Sequence, residues 1–545
     1  MDDLGFVNGT VFGAWNAPAA ADALIVSGGK VAWIGRRSEM PRVGRKVDLG
    51  GAVLGPGLTD AHVHLYAIAA SRLNLDLGGP DVDAHDALLA RLAQGAVTLP
   101  EGAWVMATGF DENRLRDPRY PTRAELDAAV PDRPVLVRRF CGHVALVNSA
   151  ALRVLGLGDG TGDPEGGAFG RDPDGRLDGS ASEAAAEAIF RAVPRPDAKL
   201  LARALRATIG DAAALGLTAA VEAAIGFTDG FPAEFALWQG LRRECADLPL
   251  RLGFMHRLDA PEAAAHGLRP TPDPDWQAIT LKFFADGIVG ARTAAMTEGY
   301  ADGAGHGYFM RPEPALRRAL AEAHEAGWQV AVHAVGDRAV ALVAESLEAA
   351  RRAHPRQPAA PHRIEHAFRV APGLLPGLRD LGALVVTQPS FLSRMNRSIH
   401  AAFGEAAGTC YQARAMIEAG IGYVPSSDAP TGSISPWIGV ADAMDRGASA
   451  GRPVGPDEAL RAPEVLAAYA EGGARAMGHQ GWRGRLEPGM AADLIAIDRD
   501  PTGAEAATMR GTQVLLTVVR GRVVHDRLHG GRLHDAAGPT ERPAR

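Results

Sequence analysis

Cysteine, lysine and long apolar runs are all scarce in this chain of 545 residues, and each scarcity excludes something. Three cysteines, Cys141, Cys245 and Cys410, are too few and too scattered for a disulfide framework or a thiolate zinc site. They fit a reducing, cytoplasmic setting. No apolar run reaches the roughly 18 residues that span a bilayer. The opening MDDLGFVNGT carries acids where a secretory signal carries bases, so a soluble, unexported protein with no membrane partner is expected. No G-x-x-x-x-G-K-[ST] is present, and neither a phosphate-cradling loop nor ATP dependence is expected. Positive charge is not in excess: 57 Lys+Arg against 64 Asp+Glu give a net charge of −7, which argues against nucleic acid as a partner.

Lysine is the scarcest ionisable type after cysteine. Lys30, Lys46, Lys199 and Lys282 are the only four, and arginine takes the other basic positions. Where positive charge suffices, this chain uses Arg. Lys282 lies inside the apolar run ITLKFFADG, so it calls for a chemistry that Arg does not supply.

What is present is a globular composition, 47% hydrophobic and 22% charged, long enough for three or four domains or for one large α/β barrel with additions. Short β-prone runs broken by Gly-rich turns fill both ends. Residues 1–53 and 480–530 are therefore expected to form one small β-sandwich, followed by a loose tail over 531–545. Between them, AVLGPGLTDAHVHL, GLTAAVEA, LRLGFM, ITLKFFADG, QVAVHAVGD, HRIEHA, ALVVTQPS and IGYVPSSDAP alternate with Ala/Leu/Glu/Arg-rich helical stretches. Eight such runs predict a (β/α)8 TIM-type barrel over 54–479; an open doubly wound sheet is the alternative. The interval between the first two runs is too long for one crossover and holds its own β runs. Residues 70–210 are read as an inserted subdomain that caps the C-terminal mouth, where barrels keep their active sites.

The chemistry concentrates at the predicted strand ends. His62 and His64, two apart, project to the same side of an extended chain. His333, His366 and Asp428 each close a short apolar run. Singly, each is more simply a core histidine or a helix-capping aspartate. Jointly they supply the nitrogen and oxygen donors that zinc or a similar divalent ion prefers. A neutral lysine adds carbon dioxide to become an anionic carbamate that bridges two cations, which a permanently protonated guanidinium does not do. Burial in LKFF would free the neutral amine. The plain alternative pairs Lys282 with Asp286 or with a substrate carboxylate.

GPGLTDAHVHL, Lys282, His333, His366 and Asp428, in that order, resemble the amidohydrolase superfamily. GFDENRL, CGHVALVNSAAL, LKFFADGIVGARTAAM, HAVGDRAV, HRIEHA and PSSDAPTG are similar to its YtcJ-like branch, which includes N-substituted formamide deformylases. The resemblance runs nearly the whole chain. It implies two divalent ions, most simply Zn2+ with Mn2+ or Fe2+ as alternatives. His62, His64 and Asp428 would hold one, His333 and His366 the other, with Lys282 carboxylated by carbon dioxide as the bridge. It implies a metal-activated hydroxide as nucleophile, Asp428 as the proton carrier and a homodimeric assembly.

Around the metals the sequence offers candidates with two readings each. His143 is a neutral donor to the substrate carbonyl or oxyanion, or a histidine that fixes a turn. Glu222 and Arg292 meet substrate, or form ion pairs that hold loops. Trp437, with Phe283, Phe284 and Phe391, offers an apolar surface to substrate or simply packs the barrel. Arg394 and Arg397 meet a carboxylate or stay solvated. Asp337 orients backbone, and Glu365 points to the strand face opposite His366 as a structural residue. The expected function is hydrolysis of a C–N bond, amide or N-formyl, in a small molecule. An esterase, lactonase or deaminase on the same site is the alternative, and a barrel without catalysis the one from another class.

Overall fold

The computed structural model describes residues 3–79, 81–100, 102–244 and 246–528; Cys245 and the tail expected at 531–545 lie outside them. Eight parallel strands run in chain order: β1 Leu58–Val63, β2 Leu217–Ile225, β3 Arg251–His256, β4 Trp276–Phe284, β5 Gln329–Ala334, β6 Arg363–His366, β7 Leu384–Thr387 and β8 Gly422–Pro425. Each pairs with its chain neighbour, from β1–β2 through β7–β8, so the apolar runs picked out in the sequence are the barrel strands. β1, β3 and β5 are buried at every position, which is why they lack polar alternation: helices cover one side and the barrel lumen the other.

The seam between β8 and β1 is drawn together at its top. The Asp428 N–H donates to the His62 carbonyl at 2.7 Å and the His64 N–H to that of Ala429 at 2.9 Å. Three of the candidate ligands thus straddle the closure. On β5, Val330, Val332 and Ala334 join the large core under the helices, while Ala331 packs with Ala219, Val221, Ala223 and Met255 in a separate lumen cluster. His333, two residues beyond Ala331, inherits the lumen side.

Two further sheets adjoin the barrel. One draws strands from both ends of the chain: Leu4–Val11, Ala21–Ser27, Lys30–Gly35, Arg45–Asp48 and Val53–Pro56 with Leu494–Ile497, Val514–Val519 and Arg522–Asp526. Val53–Pro56 pairs antiparallel with Leu494–Ile497, which brings the two ends into one layer. The other sheet has six strands between Leu75 and Glu183, inside the long interval between β1 and β2. No helix among the described residues is long and apolar enough to cross a membrane.

Candidate metal centre

His62, His64, Lys282, His333, His366 and Asp428 all line a single cavity of about 320 Å3 at the C-terminal ends of the strands. Donor atoms of His62, His366 and Asp428 lie within 4.8 Å of one another. The Asp428 Oδ1 faces Nε2 of His62 at 3.3 Å and Nε2 of His64 at 3.2 Å. The rings of His333 and His366 meet edge to face with centroids 4.4 Å apart, and those of His62 and His366 are 5.0 Å apart. His62, His366 and Asp428 therefore stand closer to one another than a clean division into two separate ligand sets would suggest.

The fit to a metal is read from the outer nitrogens. His62 Nδ1 meets the Glu365 carboxylate at 2.6 Å, His366 Nδ1 meets Gln388 Oε1 at 2.8 Å, and His333 Nε2 meets the Gly287 carbonyl at 3.0 Å. Each acceptor fixes the tautomer of its ring and leaves the other nitrogen free to bind a cation. His64 Nδ1 has the Glu222 carboxylate 4.0 Å away. Burial lowers His366 to about 3, His333 well below its ordinary value, and His64 in the same direction. Neutral imidazole is the form that binds a metal.

Burial also lowers Lys282 to about 8, against the pull of Glu365 and Asp428. Its Nζ stands 5.2 Å from the Phe284 ring centroid. Asp286 is not its partner: that carboxylate accepts the N–H groups of Ala295, Val335 and Gly336 at 2.8–2.9 Å. Asp428 is held well below its usual range by His62 and His64, although burial opposes them.

Backbone strain places two of these side chains. His366 has φ +72° and Asp428 φ +49°, left-handed values that L-residues adopt at a cost of about 1–3 kcal/mol. Ile364 belongs to the core under the helices, so Arg363 and Glu365 face the lumen and an untwisted His366 would not. The positive φ turns His366 into the mouth. Glu365, expected on the opposite face, is therefore an inward residue. It is fully buried, bridged by both Arg363 and His62, with Arg363 at 2.7 Å.

His143 lines the cavity from the segment between β1 and β2, but not as a neutral donor. Burial alone would lower its pKa; the Glu183 carboxylate 2.7 Å from Nδ1 raises it to about 9. Glu183, at φ +52°, is fixed in turn by Thr293, whose hydroxyl donates to it at 2.9 Å. An acid forty residues away in sequence gave no signal.

The three residues expected to touch substrate do not line the cavity. Glu222 follows the Ala220 face of β2, which packs outside the lumen, and accepts the Tyr66 N–H at 3.0 Å under the His64 loop. Arg292 pairs with Asp302 at 2.7 Å and bonds the Val289 carbonyl, holding its own loop. Trp437 is buried, its indole donating to the Leu215 carbonyl at 3.0 Å. Phe284, Phe391 and Arg394 do line the cavity, whereas Phe283 packs in the core. Asp337 accepts the Thr297 N–H at 2.8 Å and so ties the loop after β4 to the helix after β5.

The class that this barrel and its mouth define is the metal-dependent hydrolase. Within that class the chain belongs to the amidohydrolase family, whose sequence model matches residues 45–525. It is 29% identical over 487 residues to YtcJ of Bacillus subtilis (strain 168), an amidohydrolase by name, covering 88% of this chain and 90% of that one. It is 28% identical to the N-substituted formamide deformylase of Arthrobacter pascens, covering 97% and 99%. Among solved structures, an uncharacterized metal-dependent hydrolase from Pyrococcus horikoshii OT3 superposes with a TM-score of 0.74 at 25% identity, over 93% of this chain and 99% of that one.

Proposed function

We propose that the protein hydrolyses a C–N bond, of the amide or N-formyl type, in a small molecule; His62, His64, His333, His366, Asp428 and carboxylated Lys282 would hold two divalent ions, most simply Zn2+. The observation that carries this reading is the occupation of the outer nitrogens: His62, His333 and His366 each have one ring nitrogen engaged and the other turned to a shared cavity. Similarity to a formamide deformylase over nearly both chains supports the C–N choice. When bound, the ions would supply Lewis acidity toward the scissile carbonyl and activate water at neutral pH.

The protein's own groups do the rest. Asp428 turns Oδ1 to the imidazoles, which leaves Oδ2 to accept a proton from water as it adds to the carbonyl carbon. The same oxygen returns that proton to the departing nitrogen as the C–N bond breaks, giving a free amine and a carboxylic acid. His143, charged through Glu183, presents Nε2–H to the developing oxyanion. In this reading the strands from both termini form a small β-sandwich, and the inserted segment, which contributes Arg138, Arg139, Phe140 and His143 to the cavity wall, caps the mouth of a cytoplasmic enzyme.

The test is a hydrolysis screen over N-formyl amines, N-acyl amino acids, aryl amides and lactones with zinc-loaded protein. Turnover of amides or formamides above lactones is expected, with Lys282→Ala at least 100-fold slower. Lactone turnover alone would overturn the C–N assignment.

A further inference from the structure

Four arginines, Arg114, Arg138, Arg139 and Arg394, line the cavity that holds the ligand cluster. Two of them are spent on the protein. Arg139 makes a bidentate pair with Glu112 at 2.6 and 2.8 Å, and Arg114 donates to the carbonyls of Gly78 and Gly79. The other two have no hydrogen-bond partner among the described residues, although the carboxylates of Asp229, Glu234 and Glu187 act on Arg138 across space. Arg138 lies over Phe190, with Cζ 4.3 Å from the ring centroid, and Arg394 lies over Phe140 at 4.6 Å. The Arg394 Nε is fully buried without an acceptor.

A guanidinium taken out of water and left without an anion is costly, and its planar fork matches a carboxylate in two parallel bonds. Stacking on Phe140 holds the Arg394 plane without using its N–H groups. The nearby acid, Asp111, acts on Arg394 only across space; its Oδ1 is taken by Asn113. Beside these cations the cavity wall is aromatic. Phe227 and Phe284 stack with centroids 5.6 Å apart, and Phe368 and Phe391 add to the wall. Apolar surface with the unspent guanidinium of Arg394 fits a ligand with an aromatic or alkyl body and one acidic group.

We infer that the substrate is an amide or formamide bearing a carboxylate, with Arg394 as the residue that selects it. This rests on the C–N hydrolase reading for the scissile bond, but not for the anion site. A neutral N-substituted formamide would leave Arg394 unpaired and be the poorer substrate.

Two measurements on zinc-loaded protein test it. The first compares kcat/KM for N-formyl-phenylalanine and N-formylphenethylamine, which differ by the carboxylate alone. A preference of at least 100-fold for the acid is expected in the wild type, falling below 5-fold in Arg394→Met through KM, with Arg394→Lys between them. Equal use of the two compounds by the wild type would overturn the inference. The second measures binding of 3-phenylpropionate, 3-phenylpropanol and phenethyl phosphate by calorimetry, which needs no turnover. The carboxylate should bind at least 10-fold tighter than the alcohol and lose at least 10-fold in Arg394→Met. Arg394-dependent binding of the carboxylate without hydrolysis of either formamide would uphold the anion site and bring down the C–N reading instead. Carboxylate binding that is the same in wild type and Arg394→Met would overturn the inference, because the anion would then sit elsewhere. Tighter binding of the phosphate than of the carboxylate would overturn the choice of carboxylate.

Discussion

Single side chains at strand ends carry the chemistry, and those set by residue type were legible in the sequence. His62, His64, His333, His366 and Asp428 were found because each is a donor type at the end of an apolar run, and Lys282 because it is a rare lysine inside one. Their supports were not, because a partner across strands depends on register and on local φ. Glu365 shows this. Arg363 and Glu365, two apart in an apolar strand, are the signal of an inward ion pair, and only the left-handed His366 conceals it. Arg292 and Trp437 were misplaced for the complementary reason: residue type does not say which side of a loop or helix it faces. Glu365→Gln should keep the fold but weaken the orientation of His62. Zinc affinity should fall about 10–100-fold in competition with a chromophoric chelator; an unchanged affinity would remove Glu365 from the support of the centre.

Elements hold together through relays that pairs of strands and helices build. The Val330 N–H on β5 donates to His362 Nδ1 at 3.0 Å, so Nε2 of His362 carries the proton and donates to His324 Nδ1 at 2.8 Å. The far nitrogen of His324 then donates to the His354 carbonyl at 2.6 Å. Every ring position is satisfied only while His362 is neutral. Burial, with His324 beside it, lowers His362 from 6.5 to about 3. A folded pKa below the unfolded one gives stability that is full above pH 6.5 and lost as the pH falls toward 3. Acidification from pH 7 to 5 should therefore cost about 2 kcal/mol through this group alone. Urea unfolding across that range, with His362→Asn giving a shallower slope, checks it; a flat profile would contradict the relay.

At the scale of the whole molecule, the barrel and the sheet from the two termini are locked by a buried charge cluster. Arg251, at the start of β3, pairs with Asp493 at 2.7 Å and also with Asp275, while Arg483 reaches Asp493 at 3.0 Å. The Arg520 N–H donates to the same carboxylate at 2.8 Å, and the Trp482 ring lies 4.7 Å from the Arg251 Cζ. Asp493→Asn would leave two buried guanidiniums short of their shared anion, with an expected loss of about 3–5 kcal/mol. Calorimetric melting reads this directly, and a change below about 1 kcal/mol would deny the cluster its role. The order of the eight barrel strands was legible because each is a short apolar run between helices. The clamp was not, since it joins residues on β3, in the loop before β4 and near the C-terminus that no local pattern connects.

The lysine that stands out in a chain written with arginine remains the most direct test. Protein produced with zinc and bicarbonate, freed of loose metal by gel filtration, should contain two zinc ions per chain by elemental analysis. Lys282→Ala should contain one or none and be at least 100-fold less active. One ion per chain in fully active wild type, or two retained in an active Lys282→Ala, would contradict the bridged centre.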